Sequence, residues 1–142
     1  MSYSIKARVY QTNTNAYFNI VEKGVWQNGT WSDQDGVLTL AMGGSGTSGM
    51  LRFMTEQGKE IFFVTLGVHN WKPWVDITEA PWPNASCVKI LPEYYDAKYP
   101  VRCAARDSQR ASHSIHTAEH RTISAEYKVA EGHNLELNIV IG

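Results

Sequence analysis

The chain has 142 residues, of which 43% are hydrophobic and 19% are charged, and its formal net charge at pH 7 is -1. This length and composition predict one globular domain spanning residues 1–142 and exclude a disordered chain. Because the sequence contains no block of basic residues, it lacks the electrostatic footprint of a nucleic-acid-binding protein.

The start of the chain lacks the apolar run that a secretory signal peptide requires, and it already carries charge at Lys6 and Arg8. No later stretch approaches the ~20 consecutive apolar residues of a membrane span. We therefore expect a cytoplasmic protein. In that reducing compartment, Cys87 and Cys103 are expected to remain free thiols.

Alternation of apolar and polar residues predicts half-buried β-strands along much of the chain. The alternation is clearest at the N-terminus and in segments 123–129 and 135–141, and the turn-rich spacer between those segments predicts a hairpin. Segment 61–68 has apolar residues at both its odd and its even positions, which predicts a strand buried on both faces. Further strands are expected at 17–21, 37–42 and 50–54.

Short strands separated by Asn, Gly and Asp turns predict an all-β fold, an antiparallel β-sandwich of two sheets. Segment 71–99 contains four prolines, so irregular backbone or short helical turns are expected there, in a connection that crosses one end of the sheets. Segment 104–112 fits one or two helical turns. No internal repeat or linker divides the chain.

The segment from Met42 to Met50 contains four glycines and three hydroxyl residues. Its Gly44-x-Gly46-x-x-Gly49 pattern formally matches the dinucleotide-binding fingerprint, which requires a helix directly after the glycines. The residues that follow have no helical period. We therefore predict a strand–turn–strand whose turn contacts a neutral polar ligand.

Residues 69–76 follow the doubly buried strand directly and combine aromatic rings with an imidazole, an amide and a carboxylate. Rings cover the apolar face of a pyranose, whereas amides and carboxylates bind its hydroxyl groups. The segment therefore predicts a carbohydrate site. The alternative is that Trp71 and Trp74 are packing residues and that His69 is hydrogen-bonded within the fold.

A metal site is the second chemistry that the sequence suggests. His113, His116 and His120 would share one face of a helix, as zinc ligands require, but they would separate on a strand. Neither a cysteine cluster nor a HExxH motif accompanies them. We therefore expect no metal or other cofactor.

Hydrolysis is the third possibility. Ser45, His69 and Asp76 formally supply a Ser–His–Asp set, but no nucleophile elbow surrounds any serine. The paired carboxylates of a glycosidase cleft are also not evident. We therefore do not expect an enzyme.

Several sequence blocks resemble the fungal fruit-body lectin family, the type found in the common mushroom. The most specific are Gly43-Gly44-Ser45-Gly46-Thr47-Ser48-Gly49 and Gly67-Val68-His69-Asn70, and the resemblance runs essentially end to end. It implies an actinoporin-like β-sandwich with a short helical connection, assembled as a homotetramer. It also implies binding of glycans on glycoproteins or glycolipids, without catalysis or metal, in a defence role.

In that family, one site takes the galactosyl-N-acetylgalactosamine disaccharide of O-glycans (the T antigen). The resemblance assigns this disaccharide to Ser45, Gly46, His69 and Asn70, with Trp71 where the family usually has tyrosine. In a shortened loop, Asn28 and Gly29 are approximate counterparts of a further contact residue.

A second family site, across the helical connection, takes terminal N-acetylglucosamine. Glu79 stands where the family has a threonine, and we expect it either to accept a sugar hydroxyl or to pair with Arg102 and close the site. If His113, which replaces a tyrosine, accepts a hydrogen bond, binding should weaken at acid pH. The positions that the resemblance assigns to this site are Asp76, Ile77, Thr78, Glu79, Arg102 and His113.

A pore-forming protein of the same actinoporin-like fold is the alternative function. Such proteins need an amphipathic N-terminal helix that inserts into a membrane. Residues 1–11 alternate with the period of a strand, so membrane insertion is not expected.

Overall fold

The computed structural model describes residues 2–142, in which ten strands and two short α-helices occur. The strands form a six-stranded sheet in the order β3-β4-β1-β10-β9-β8 and a four-stranded sheet in the order β2-β5-β6-β7. In chain order the elements are β1 (Tyr3–Gln11), β2 (Phe18–Trp26), β3 (Gly29–Gln34), β4 (Val37–Met42), β5 (Thr47–Thr55), β6 (Ile61–His69), β7 (Lys72–Glu79), α1 (Cys87–Ile90), α2 (Pro100–Asp107), β8 (Ser112–His116), β9 (Thr122–Val129) and β10 (Asn134–Ile141), with a 3₁₀ turn at Leu91–Tyr95 between the helices.

The main core lies between the two sheets, where the alternating apolar residues of each strand meet. Ile5, Leu137 and Ile139 are fully buried on the inner face of the larger sheet, and Phe62 and Val64 face them from the smaller one. Their burial accounts for the period-two pattern, since every second side chain of a strand faces the same side. The predicted two-sheet, all-β fold is confirmed.

A second apolar cluster covers the outer face of the four-stranded sheet. Phe63 and Trp74 pack there against Ile90 and Tyr94 of the helical connection, and all four side chains are fully buried. β6 is therefore buried on both faces, as predicted. The prediction that the connection crosses one end of the sheets is wrong, because it covers a sheet face.

One pairing departs from the predicted antiparallel arrangement. β1 runs parallel to β10, with Ile5 beside Leu135, whereas the other described strand pairs are antiparallel. Parallel neighbours need a long connection, and here almost the whole chain separates the two strands. The predicted hairpin between β9 and β10 is confirmed.

Three elements differ from the sequence-based expectation. Residues 72–79 form the strand β7 despite Pro73, and the short strands β3 and β8 were not predicted. Pro73 is accommodated because β7 lies at the edge of its sheet and the proline stands near the start of the strand. The helix expected within 104–112 lies earlier, at Pro100–Asp107.

The described N-terminal residues support the predicted strand. β1 is hydrogen-bonded to β4 on one side and to β10 on the other, so it is a central strand. Within residues 2–142, no helix has the length and apolarity to cross a membrane. Cys87 and Cys103 are free thiols, as predicted, and burial raises the pKa of the Cys87 thiol.

Candidate functional site

The glycine-rich turn and the end of β6 meet at one end of the molecule. The Ser45 Oγ atom accepts a hydrogen bond of 3.0 Å from the Trp71 backbone N–H, and the Gly46 N–H donates to the Val68 carbonyl at 2.8 Å. Gly46 has a φ of 86°, a conformation that favours glycine. The turn surface, defined here as Ser45, Gly46, His69, Asn70 and Trp71, is therefore held together by hydrogen bonds that backbone N–H groups donate.

Asn70 and Trp71 form a two-residue hairpin loop between β6 and β7, flanked by the paired residues His69 and Lys72. Their φ angles are 48° and 71°, which is typical of a type I′ turn. A tryptophan rarely adopts this conformation, because its bulk makes positive φ unfavourable. The indole of Trp71 is 71% exposed, whereas Trp74 is fully buried, so only Trp74 is a packing residue.

His69 is held by residues at the end of α2. The Gln109 side-chain amide donates to the His69 carbonyl at 2.6 Å, and the His69 Nε2 atom lies 3.3 Å from the Asp107 carboxylate and 3.3 Å from the Asn70 amide nitrogen. Asp107 is itself bonded to Arg106, at 2.9 Å. The imidazole thus lies beside a carboxylate and an amide, which can accept and donate to sugar hydroxyls. Asp107 and Gln109 were not predicted.

The β2–β3 loop lies at the same end of the molecule. Asn28 has a φ of 50° in this loop, and Gly29 pairs with Met42, the last residue of β4 before the glycine-rich turn. On the other side, Ser48 bonds the Tyr95 hydroxyl at 2.8 Å, which ties the turn to the helical connection. The register therefore places Gly29 beside Met42, at the start of the glycine-rich segment, and Asn28 one position before it.

Most of the predicted residues of the second site lie together between β7 and α2. Its centre is Asp76, only 6% exposed, whose carboxylate accepts hydrogen bonds from the Tyr94 hydroxyl at 2.6 Å and the Thr78 hydroxyl at 3.3 Å. Burial raises the pKa of Tyr94, and the neighbouring Asp76 carboxylate adds to this shift. The phenol is therefore a hydrogen-bond donor at any physiological pH.

Arg110 and His113 complete the polar side of this site. The Arg110 guanidinium bonds Asp76 at 3.0 Å, and the His113 Nδ1 atom accepts the Ile77 backbone N–H at 3.0 Å. Burial lowers the pKa of His113, an effect that Asp76 opposes and Arg110 reinforces. The imidazole is therefore neutral at neutral pH, with its proton on Nε2.

We name this site the helix groove and define it by Asp76, Thr78, Arg102, Arg110 and His113. Its volume is about 610 Å³, and small apolar side chains of α2 line its other wall. Arg102 bonds the Thr78 hydroxyl at 3.2 Å and Glu93 at 3.1 Å. Glu93, Tyr94 and Arg110 were not predicted.

Two predictions about this groove need correction. Glu79 does not pair with Arg102, because the Arg102 guanidinium pairs with Glu93. The Glu79 carboxylate instead accepts the Ala118 N–H at 3.1 Å, outside the groove. Ile77 contributes only its backbone, since its side chain is buried in the main core. Both follow from strand geometry: Ile77 and Glu79 face the opposite side from Asp76 and Thr78.

The metal and hydrolase alternatives find no support in the geometry. Across residues 2–142, no cluster of three or more His, Cys, Asp or Glu side chains is arranged to hold a metal ion. His113 and His116 stand three positions apart on β8 and so face opposite sides. Asp76 pairs with Thr65, far along the β6–β7 ladder from His69, so Ser45, His69 and Asp76 form no triad.

The β-sandwich thus carries two polar surfaces, the turn surface and the helix groove, and residues of the α2 segment contact both. The family model described as "Fungal fruit body lectin" matches residues 1–139, and the chain belongs to this family. It is therefore a carbohydrate-binding, non-catalytic lectin, as predicted.

Individual relatives agree with this assignment. The chain is 42% identical to the Boletus edulis lectin over 144 residues, which cover 99% of each chain. The crystal structure of the wild-type Xerocomus chrysenteron lectin matches with a TM-score of 0.93 and 44% identity over 100% of both chains. A mutated form of that lectin also has a TM-score of 0.93, with 46% identity, over 100% of this chain and 99% of the other.

Proposed function

We propose that the turn surface binds the galactosyl-N-acetylgalactosamine disaccharide of O-glycans and that the helix groove binds terminal N-acetylglucosamine. The observation that carries the first assignment is the hydrogen bond from the Trp71 backbone N–H to the Ser45 Oγ atom, which ties the exposed Trp71, two positions after His69, to the glycine-rich turn. An indole face covers the apolar side of galactose, and the imidazole and amide of His69 and Asn70 bind its hydroxyls.

The groove assignment is supported by its two unlike walls. Asp76, Arg110 and His113 supply acceptors and donors for ring hydroxyls, while Ala104 and Ala105 offer an apolar surface. An N-acetyl group has both characters, since its methyl packs on alkyl groups and its carbonyl accepts a hydrogen bond. Glu79 has no part in this proposal.

Multivalency is part of the proposal, because single shallow sugar sites bind weakly. We infer a cytoplasmic homotetramer whose several copies of each site supply avidity for glycans on cell surfaces. The defence role against animals that feed on the fungus rests on family analogy.

Calorimetric titration of the intact protein with the two sugars, separately and together, tests both assignments. We expect two independent binding events, and we expect a glycan array to show signal for galactosyl-N-acetylgalactosamine and for terminal N-acetylglucosamine. His69→Ala should remove only the first event and Arg110→Ala only the second. An array without signal for galactose- or N-acetylgalactosamine-containing glycans contradicts the first assignment.

A further inference from the structure

A third pocket lies at the other end of the sandwich from the turn surface. β6 begins at this pocket with Ile61 and ends at the turn surface with His69, about 27 Å away for a nine-residue strand. The pocket has a volume of about 250 Å³. We name it the far pocket and define it by the residues that carry the argument: Phe18, Lys59, Glu60, Glu79, Trp82 and Glu119.

A buried guanidinium stiffens one wall of the far pocket. Arg121 is only 6% exposed and holds both carboxylate oxygens of Glu60, at 2.8 and 3.0 Å. It also donates to Asn15 at 3.2 Å and to the Gly142 carbonyl at 3.0 Å, and its guanidinium lies 5.3 Å from the centre of the Phe18 ring. The wall is thus preorganised, and the charge of Glu60 is neutralised.

An aromatic side chain, Trp82, lines the far pocket. Trp82 is 43% exposed and lies between Pro81 and Pro83, two residues with restricted backbone freedom. A large, half-exposed ring on a stiff segment is a suitable platform for the apolar face of a sugar, because little conformational entropy is lost on binding.

Carboxylates supply the acceptors. One oxygen of Glu79 accepts the Ala118 N–H at 3.1 Å, which orients the carboxylate and leaves its other oxygen to accept from a ligand. Glu119 and Lys59 also line the far pocket. Glu60 pairs with Arg121 and not with Lys59. The carboxylates of Glu60, Glu79 and Glu119 outweigh the cations Lys59 and Arg121, so an anionic ligand is disfavoured.

We propose that the far pocket is a third saccharide site, which takes a single neutral hexopyranose. Its volume is below the roughly 300 Å³ at which pockets for drug-sized ligands begin, so it suits one sugar ring. The ring would stack on Trp82 and donate hydroxyl hydrogens to Glu79 and Glu119. The assignment is independent of what the turn surface and the helix groove bind.

Indole N–H signals of the five tryptophans in ¹H–¹⁵N spectra of the full chain test this proposal. Trp82→Phe and Trp71→Phe assign the two reporter signals. The probes are the methyl glycosides of glucose, galactose and mannose, with N-acetylneuraminic acid as the anionic probe and choline as the cationic one. We expect at least one neutral glycoside to shift the Trp82 signal saturably at millimolar concentration.

Two variants sharpen the result. Glu79→Gln, followed by the Trp82 signal, and Trp82→Ala, followed by backbone amide signals of the far pocket, should each weaken that glycoside about tenfold. Glu126→Gln, at an exposed carboxylate on β9, should leave it unchanged. The proposal is overturned if no neutral glycoside shifts the Trp82 signal saturably, or if only choline or N-acetylneuraminic acid shifts it. The galactosyl-N-acetylgalactosamine disaccharide should move the Trp71 signal, so a failure of the proposed function is seen separately.

Discussion

The turn surface meets the C-terminal end of α2, whereas the helix groove lies along this helix, and the two are built in opposite ways. On the turn surface, Trp71 is 71% exposed and is held through its backbone, so its side chain is free for a ligand. In the helix groove, Asp76 is 6% exposed and its carboxylate bonds groups from three segments of the chain. The central polar groups of the groove therefore also hold the fold together, whereas the exposed side chains of the turn surface do not.

This difference implies that substitutions can change sugar binding without changing stability on the turn surface but not at the centre of the groove. Variants of the turn surface should change sugar binding alone, because exposed side chains contribute little to folding. Variants at the centre of the groove should change both, since they leave buried polar groups without partners. The α2 segment reaches both regions, through Asp107 to His69 and through Arg102 to Thr78.

The largest effect is expected for Asp76→Ala. The change leaves the buried Tyr94 hydroxyl without its 2.6 Å acceptor, so we expect a loss of about 2 kcal/mol in the free energy of unfolding together with loss of N-acetylglucosamine binding. Urea unfolding and calorimetric titration measure the two effects. Asp107→Ala, at a carboxylate that is 55% exposed, is the matched control and should unfold with the parent protein. An unchanged urea midpoint for Asp76→Ala would show that the groove is not part of the fold.

The next effect is expected for Trp71→Ala, which removes the exposed indole but keeps the turn. The dissociation constant for the disaccharide should rise at least about tenfold, because the stacking surface is lost. The free energy of unfolding should change by less than about 0.5 kcal/mol. Titration of N-acetylglucosamine should be unaffected. Tyr17→Ala, at another largely exposed aromatic, is the control, and equal loss of disaccharide binding there would contradict the assignment.

The turn surface was predictable from the sequence because its signals are local. The glycine-rich segment and the His69-Asn70 pair each follow a recognisable strand, and the family resemblance placed them together. The groove was only partly predictable. Its Asp76 contacts, Tyr94 and Arg110, lie 18 and 34 positions away in the chain, and no periodicity relates them.

Some errors had a signal in the sequence and others had none. In β7, alternate side chains face opposite sides of the sheet, so Glu79 points away from Asp76 and Thr78. Its position in the strand alone therefore places Glu79 outside the groove. The strand β8 is short and lies at a sheet edge, where its histidines and serines give little apolar contrast. The parallel pairing of β1 and β10 is a long-range contact that short-range turn signals do not report.

A smaller effect is expected for Ser45→Ala on the turn surface. The Trp71 N–H loses its 3.0 Å acceptor, and one such hydrogen bond contributes about 1 kcal/mol, so disaccharide binding should weaken about fivefold. Calorimetric titration measures the change. Ser4→Ala, on the exposed face of β1, should have no effect. If Ser45→Ala weakens binding as strongly as Trp71→Ala, then Ser45 contacts the sugar directly as well as holding the turn.

The smallest effect is expected from pH, and it should be confined to the helix groove. Burial lowers the pKa of His113, so the imidazole is neutral at neutral pH and accepts the Ile77 N–H. Protonation of His113 at acid pH removes this acceptor, and because its pKa is lowered, protonation requires a more acid pH than for a free histidine. We therefore expect N-acetylglucosamine to bind about twofold to threefold more weakly at about pH 5 than at pH 8.

The same protonation should also lower stability. The unfolded chain binds a proton at His113 more readily than the folded one, so the free energy of unfolding decreases as pH falls through the ordinary histidine range. His113→Gln keeps an acceptor for the Ile77 N–H and does not titrate, so its N-acetylglucosamine affinity should be flat with pH. If the parent protein binds N-acetylglucosamine equally at about pH 5 and pH 8, protonation of the His113 Nδ1 atom does not control binding in the groove. A matching pH response in the variant would assign the effect to another group.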